Sequence, residues 1–192
     1  MDSFAHSKYY AKKKFFKLFG GAIRIFDETG STLLFYIKQK AFKLKEEIIV
    51  YADESEDKEI LKIKARSIID LGATYDITDA STDQKVGALR RKALKSILKD
   101  TWEILDTSDD AIATVAEDSL LMALLRRFLS NLIPQSFHID MGDDTVGILK
   151  QTFNPFVPQF RVDFSMDSGN KLDRRLGIGA VILLQIIEGR QQ

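Results

Sequence analysis

The chain has no cysteine. That excludes a disulfide framework, a thiolate nucleophile and a cysteine-bound zinc, and it suits a reducing compartment. There are two histidines, His6 and His138, without the spacing of a histidine-rich metal site. Net charge is absent: 28 Lys and Arg balance 28 Asp and Glu, so no overall field draws the chain to nucleic acid or membrane. Any such affinity has to come from a local patch. No G-x-S-x-G, P-loop or EF-hand spacing occurs, and Gly20-Gly21 and Gly177-Ile178-Gly179 are too short for a nucleotide fingerprint. With no convergent acid, base or nucleophile to name, the chain reads as a non-enzyme without cofactor or metal. Long apolar runs are missing too. Leu176 to Ile187 makes about 18 Å of helix at ~1.5 Å per residue, against the roughly 30 Å of a bilayer interior, so no transmembrane span is expected. The N-terminus, Met1 to Lys14, is basic but lacks the apolar run of a signal peptide. A cytoplasmic location is the expectation.

What is present is an ordinary globular composition, 45% hydrophobic and 29% charged, with a length suited to one domain over residues 1–192. Within it runs a 26-residue period. Lys12, Lys38, Lys64 and Arg90 keep that spacing, as do Lys14, Lys40, Arg66 and Lys92. So do Phe16, Phe42, Ile68 and Leu94. Asp27, Asp53 and Asp79 follow it, with Asp106 one residue late. Each unit reads basic-x-basic-x-apolar, then a second apolar stretch ending in Asp.

Each unit makes two strands. Leu33, Phe35 and Ile37 alternate with more polar neighbours, as do Leu61, Ile63 and Ala65. After Lys40 the apolar parity shifts to Phe42 and Leu44, which requires a bulge or turn, so the first strand ends there. The second runs through Ile48 and Val50 to Asp53, with counterparts at Tyr75 and Ile77 and at Trp102 and Ile104. Turn residues follow each terminal Asp. The pairs are 12–19 with 22–27, 32–40 with 47–53, 59–66 with 73–79, 84–92 with 100–106, 111–117 with 135–140, and 144–151 with 158–165. One amphipathic helix interrupts them near 118–132. Asp118 and Ser119 cap it, Leu121, Leu125 and Phe128 share one face, and Pro134 ends it.

The stretch Leu172 to Ile187 is apolar on every side of a helical wheel, and such a helix must be enclosed. Asn170 is its expected cap, with Asp173 in the first turn. The expected fold is mainly β: a closed twelve-stranded antiparallel β-barrel enclosing this hydrophobic C-terminal α-helix. Closure removes free edges, and a barrel of that size is too wide for its own side chains to fill. Gly177 and Gly179 would let the wall approach the helix. An open β-sandwich with the helix across one face is the alternative.

Lys12 to Asp27, Ile37 to Lys45 and Asp173 to Leu184 resemble the LURP-one-related family. That family belongs to the tubby C-terminal-like group, which also includes the phospholipid scramblases. The resemblance extends from about residue 9 to 190 and implies a twelve-stranded barrel around a central C-terminal helix. It implies little about activity. Tubby-like domains bind phosphoinositides, but their lipid-binding basic residues match no positions here. Scramblases have a cysteine cluster and a proline-rich N-terminal region. This chain has no cysteine, and its three prolines all follow residue 130.

The best functional lead is the basic pairs Lys12/Lys14, Lys38/Lys40, Lys64/Arg66 and Arg90/Lys92. At i, i+2 each pair shares a strand face, and repetition would gather them as a cationic rim for anionic phospholipid or phosphoinositide head groups. Nearby Glu46, Glu47, Glu54 and Glu56 would dilute that rim. The leading reading is a non-enzymatic cytoplasmic binding module, peripheral to membrane. A scaffold with a protein partner, using the 118–132 helix, and a scramblase-like membrane-associated protein are the alternatives; no nucleic-acid partner is expected. The recurring aspartates, with Asp163, Asp167, Asn170 and Asp173, raise calcium binding, but Asp before Ser, Thr or Gly is a turn signature. Trp102 reads as core and His138 as an outward strand residue.

Overall fold

Twelve strands close on themselves. They are β1 (Lys8–Phe16), β2 (Gly20–Asp27), β3 (Leu33–Gln39), β4 (Ile48–Tyr51), β5 (Glu59–Ala65), β6 (Thr74–Asp79), β7 (Lys85–Lys92), β8 (Thr101–Leu105), β9 (Ala111–Glu117), β10 (Ser136–Met141), β11 (Asp144–Thr152) and β12 (Gln159–Asp163), followed by helix α1 (Arg174–Ile187). The structure, a computed structural model, describes residues 2–16, 20–39, 47–66, 73–92, 101–117, 135–152 and 159–187, with the side chains of 14–16, 20 and 39 outside that description. The helix expected near 118–132 and the parity shift after Lys40 lie outside the described residues.

Each strand pairs antiparallel with the next, and β12 returns to β1 through Lys8↔Asp163 to Lys12↔Gln159. The sheet is a closed barrel, and the open sandwich is excluded. β1 begins at Lys8 rather than near Lys12, because Tyr9 and Ala11 also face inward and continue the ladder against Val162 and Phe160. Odd strands run one way and even strands the other. The hairpins leaving the even strands therefore collect at one mouth of the barrel, with the start of α1. The far ends of the odd strands collect at the other.

Five hairpins at the first mouth share a bulge. Register slips after Ile25, Val50, Ile77, Ile104 and Ile139, leaving Leu34, Ile60, Val86, Ile112 and Val146 as the extra residues on the odd strands. The first four of these lie 26 residues apart (34, 60, 86, 112). A bulge can turn two successive side chains inward, and Leu34 with Phe35 are both buried. The aspartates just beyond then close the turns. The Asp27 carboxylate accepts from Thr29 Oγ1 and the Ser31 amide, Asp53 from the Ser55 amide, Asp79 from the Ser81 and Thr82 amides, and Asp106 from the Ser108 and Asp110 amides. Here they are turn residues, as their spacing before Ser and Thr implied.

The lumen is filled by α1. Leu176 through Ile187 are buried on every face, against wall residues such as Ile23, Phe35, Ile63, Ile77, Trp102 and Ile139. The helix is sheathed by the barrel, and among the described residues no helix is long and apolar enough to cross a membrane. Close approach explains both helix glycines and one in the wall: a Cβ on Gly179 would run into Ile77 Cδ1. A Cβ on Gly177 would sit 2.8 Å from Phe164 Cζ, and one on Gly147 of β11 would sit 2.9 Å from the same ring. Phe164 thus fills a slot between wall and helix, with the Arg174 guanidinium 4.7 Å from its centroid.

The cap is Asp173, not Asn170. The Asp173 backbone carbonyl accepts from the Leu176 and Gly177 amides, and its carboxylate accepts from the Arg175 amide at 2.9 Å. Asn170 instead takes a positive φ of 47° in the preceding turn, a conformation Asn tolerates. That turn is organised by buried Asp167, which accepts from the Lys171 and Leu172 amides and Arg174 Nη1. Burial raises the Asp167 carboxyl, but these donors outweigh it and hold it below the usual range. At the other end of α1, Lys13 is fully buried and its Nζ donates to the Gln185 carbonyl at 2.7 Å.

The Gln185 amide is the one polar group the helix carries into the lumen, and neither Nε2 nor Oε1 has a partner among the described residues. An unmet buried polar group costs about 1–3 kcal/mol. Gln185→Met keeps the length and removes the polar atoms, so chemical denaturation is expected to show a gain of about 1 kcal/mol or more; an equal loss would mean the amide is satisfied.

Candidate functional site

The four basic pairs fall on β1, β3, β5 and β7 or just beyond their ends. These strands are parallel to one another around the barrel, so the described members of the pairs lie towards the second mouth. Alternation turns Lys12, Lys38, Lys64, Arg66, Arg90 and Lys92 away from the lumen. Lys12 is half-buried, with Nζ 4.6 Å from the Tyr10 ring centroid and 5.0 Å from that of Phe26. Lys38 is exposed and bonded to Glu56 Oε1 at 2.7 Å. Lys64 is exposed and makes no ion pair among the described residues. Arg90 and Lys92 converge on Glu103, through Arg90 Nη2 to Oε2 at 2.6 Å and Lys92 Nζ to Oε1 at 2.5 Å. Burial raises the Glu103 carboxyl, yet Lys92 and Arg90 hold it below its ordinary value. The Lys14 side chain and all of Lys40 lie outside the described residues.

Arg66 carries the densest contacts. Its Nε and Nη2 meet Asp76 Oδ2 and Oδ1 at 2.8 and 2.6 Å, and Nη2 also reaches Asp109 Oδ1 at 2.5 Å. Lys85 Nζ donates to that same Asp109 oxygen at 2.7 Å. Asp109 comes from the turn between β8 and β9, with a left-handed φ of 71°. The turn is held by Asp106, whose backbone carbonyl accepts from the Asp109 amide. Around these contacts lies a groove of about 670 Å³ on the outer wall, lined by Glu47, Lys62, Lys64, Arg66, Asp76, Lys85 and Asp109 among others.

Lys62, Lys85, Asp76 and Asp109 are not among the candidate site residues of the sequence, where Asp109 reads only as part of the turn after Asp106. Lys62 had a signal, since 62, 64 and 66 share one strand face. Asp109 had none, because it lies 43 residues from its Arg66 partner. A second cleft, about 760 Å³, opens beside the start of α1. Its Arg174 and Arg175 are bonded to Asp167, Asp173 and Asp79. Trp102 is core, and half-buried His138 lies between buried Phe137 and Ile139 on β10.

Fold and surface together define a closed twelve-stranded barrel around a hydrophobic helix, with basic strand ends partly neutralised by carboxylates. The family model described as LURP-one-related matches residues 33–185, and the chain belongs to that family. Among solved structures, it is similar to an Arabidopsis thaliana protein determined by X-ray crystallography, at 14% identity and a TM-score of 0.55. That alignment covers 98% of this chain and 96% of the other, and it speaks to the fold alone. No curated protein matches the sequence significantly.

Hydrogen bonds from Arg66, then Lys85, lower the Asp109 carboxyl to about 2. Its folded value lies below the unfolded one, about 3.9. Its contribution is therefore present above about pH 4 and is lost as pH falls through 2. Carbon-detected NMR should show the Asp109 carboxyl titrating near pH 2; a midpoint at the ordinary value would mean the Arg66 and Lys85 contacts do not persist in solution.

Proposed function

We infer that the chain is a single-domain, non-enzymatic binding module, cytoplasmic and peripheral to membrane, that recognises anionic phospholipid or phosphoinositide head groups. One observation carries the reading: Lys12, Lys38, Lys64, Arg66, Arg90 and Lys92 lie on the outer wall, on or just beyond strands that run towards the same mouth. Near an anionic surface each such side chain contributes roughly 1 kcal/mol. The Lys38, Arg66, Arg90 and Lys92 carboxylate partners reduce that sum. Lys12 and Lys64 have no carboxylate among the described residues to displace. Together they supply roughly 2 kcal/mol, enough for weak, salt-sensitive association that grows if further cations are released. The candidate residues remain Lys12, Lys14, Lys38, Lys40, Lys64, Arg66, Arg90 and Lys92.

Sedimentation with vesicles of phosphatidylcholine and phosphatidylserine tests this. Pelleting at low salt should fade as ionic strength rises, and Lys12→Glu with Lys64→Glu should weaken it by roughly tenfold or more. Failure to pellet at low salt would end the lipid reading.

A further inference from the structure

We propose that Arg66 and Lys85, with Lys64 beside them, form a recognition site for a phosphate monoester, and that Asp109 occupies this site as a tethered anion until the ligand displaces it. The proposal rests on the anion-binding reading above and adds to it a built site and its gate.

The geometry is that of an occupied anion site. A single oxygen, Asp109 Oδ1, receives donors from two cations on different strands, Arg66 and Lys85. Phosphate oxygens accept such convergent, charge-assisted bonds well, and a planar guanidinium suits them. Asp76 grips Arg66 from the neighbouring strand and fixes the fork, while leaving Lys85 at 4.0 Å. Asp109 is different in kind. It reaches in from a turn, and its backbone position is set by Asp106, not by the cations it touches. The groove is also larger than one carboxylate requires, and exposed Lys64 lines it. Its charged lining is Lys62, Lys64, Arg66 and Lys85 against Glu47, Asp76 and Asp109. Removing Asp109 from that set leaves four cations facing two carboxylates.

A tether of this kind competes at a high effective concentration. Apparent affinity for an incoming anion is reduced by the fraction of molecules whose site is filled. The test is Asp109→Asn in the full chain, because Asn accepts the same positive φ while losing the charge. Asp109→Gly serves as a second variant, and circular dichroism checks that both are folded. Two probes separate the sources of phosphate. Inositol trisphosphate, followed by calorimetry, presents the group in solution. Vesicles of nine parts phosphatidylcholine to one part phosphatidylinositol bisphosphate present it on a surface. Both variants should bind more tightly than the parent chain, by about tenfold, and adding Arg66→Gln should abolish the gain. A gain with both probes means the phosphate group itself is read, and a gain with vesicles alone means it is read at the membrane; either supports the site. If the parent binds vesicles and neither variant binds better, the gate is wrong and the lipid reading stands. A gain that survives Arg66→Gln is a net-charge effect and overturns the site. Absence of binding by every variant to both probes overturns the site and the reading beneath it.

Discussion

A sheet of twelve strands, once closed, encloses a lumen wider than its inward side chains can span. Everything else in this molecule depends on filling it. The filler is α1, and its demands are specific: apolar atoms on every face, backbone groups satisfied at both ends, and room where wall and helix meet most closely. Leu176 to Ile187 meets the first with Gln185 as the exception. Asp173 meets the second at the start of the helix. Lys13 meets it at the finish, placing an ammonium donor where the last carbonyls and the negative end of the helix dipole favour one. Gly147 and Gly177 meet the third by making the slot for Phe164.

The two mouths of the barrel are chemically unlike. At the first, the bulged hairpins end in aspartates whose carboxylates accept from amides and hydroxyls of their own turns, Asp79 accepting from Arg175 as well. Those turns fix where the wall begins and how α1 enters. Towards the second lie the basic ends of the odd strands. There Glu103 and Asp76 come from neighbouring strands, while Asp109 reaches Arg66 and Lys85 from the β8–β9 turn of the first mouth, and these carboxylates hold cations that another anion could also hold. A chain with no net charge thus separates a committed set of charges from an exchangeable one.

The strand order and the central helix were legible because they rest on local pattern. Alternation around Phe35 and Ile63, and the turn-forming Asp of each unit, mark hairpins without tertiary information. The helical wheel of residues 176–187 demands an enclosure, and twelve strands supply one. The bulge column 34, 60, 86, 112 was in the sequence as regularly spaced apolar residues, but an extra inward residue is visible only once partner strands are registered. Lys13 carries no lumen signal in the sequence for a related reason. Flanked by Lys12 and Lys14, it reads as part of a solvated run, whereas its parity sends it into the lumen beside Tyr9 and Ala11. Asn170 and Asp173 are both capping residue types ahead of the apolar run, so sequence alone does not choose between them. Asp173 takes the cap because Asp167 gathers residues 171 and 172 into the preceding loop. The basic residues could be named from sequence, but their carboxylate partners could not, since barrel closure and long-range turns bring those partners together.

Removal of the helix tests the central claim most directly. A domain of this kind is stable by about 5–15 kcal/mol, and emptying the lumen exposes the inner wall of all twelve strands to water. A chain ending before Leu172 is expected to be insoluble or to melt without a cooperative transition in near-ultraviolet circular dichroism, although every strand is retained. A soluble truncated chain with a sharp transition near that of the full-length protein would contradict the account.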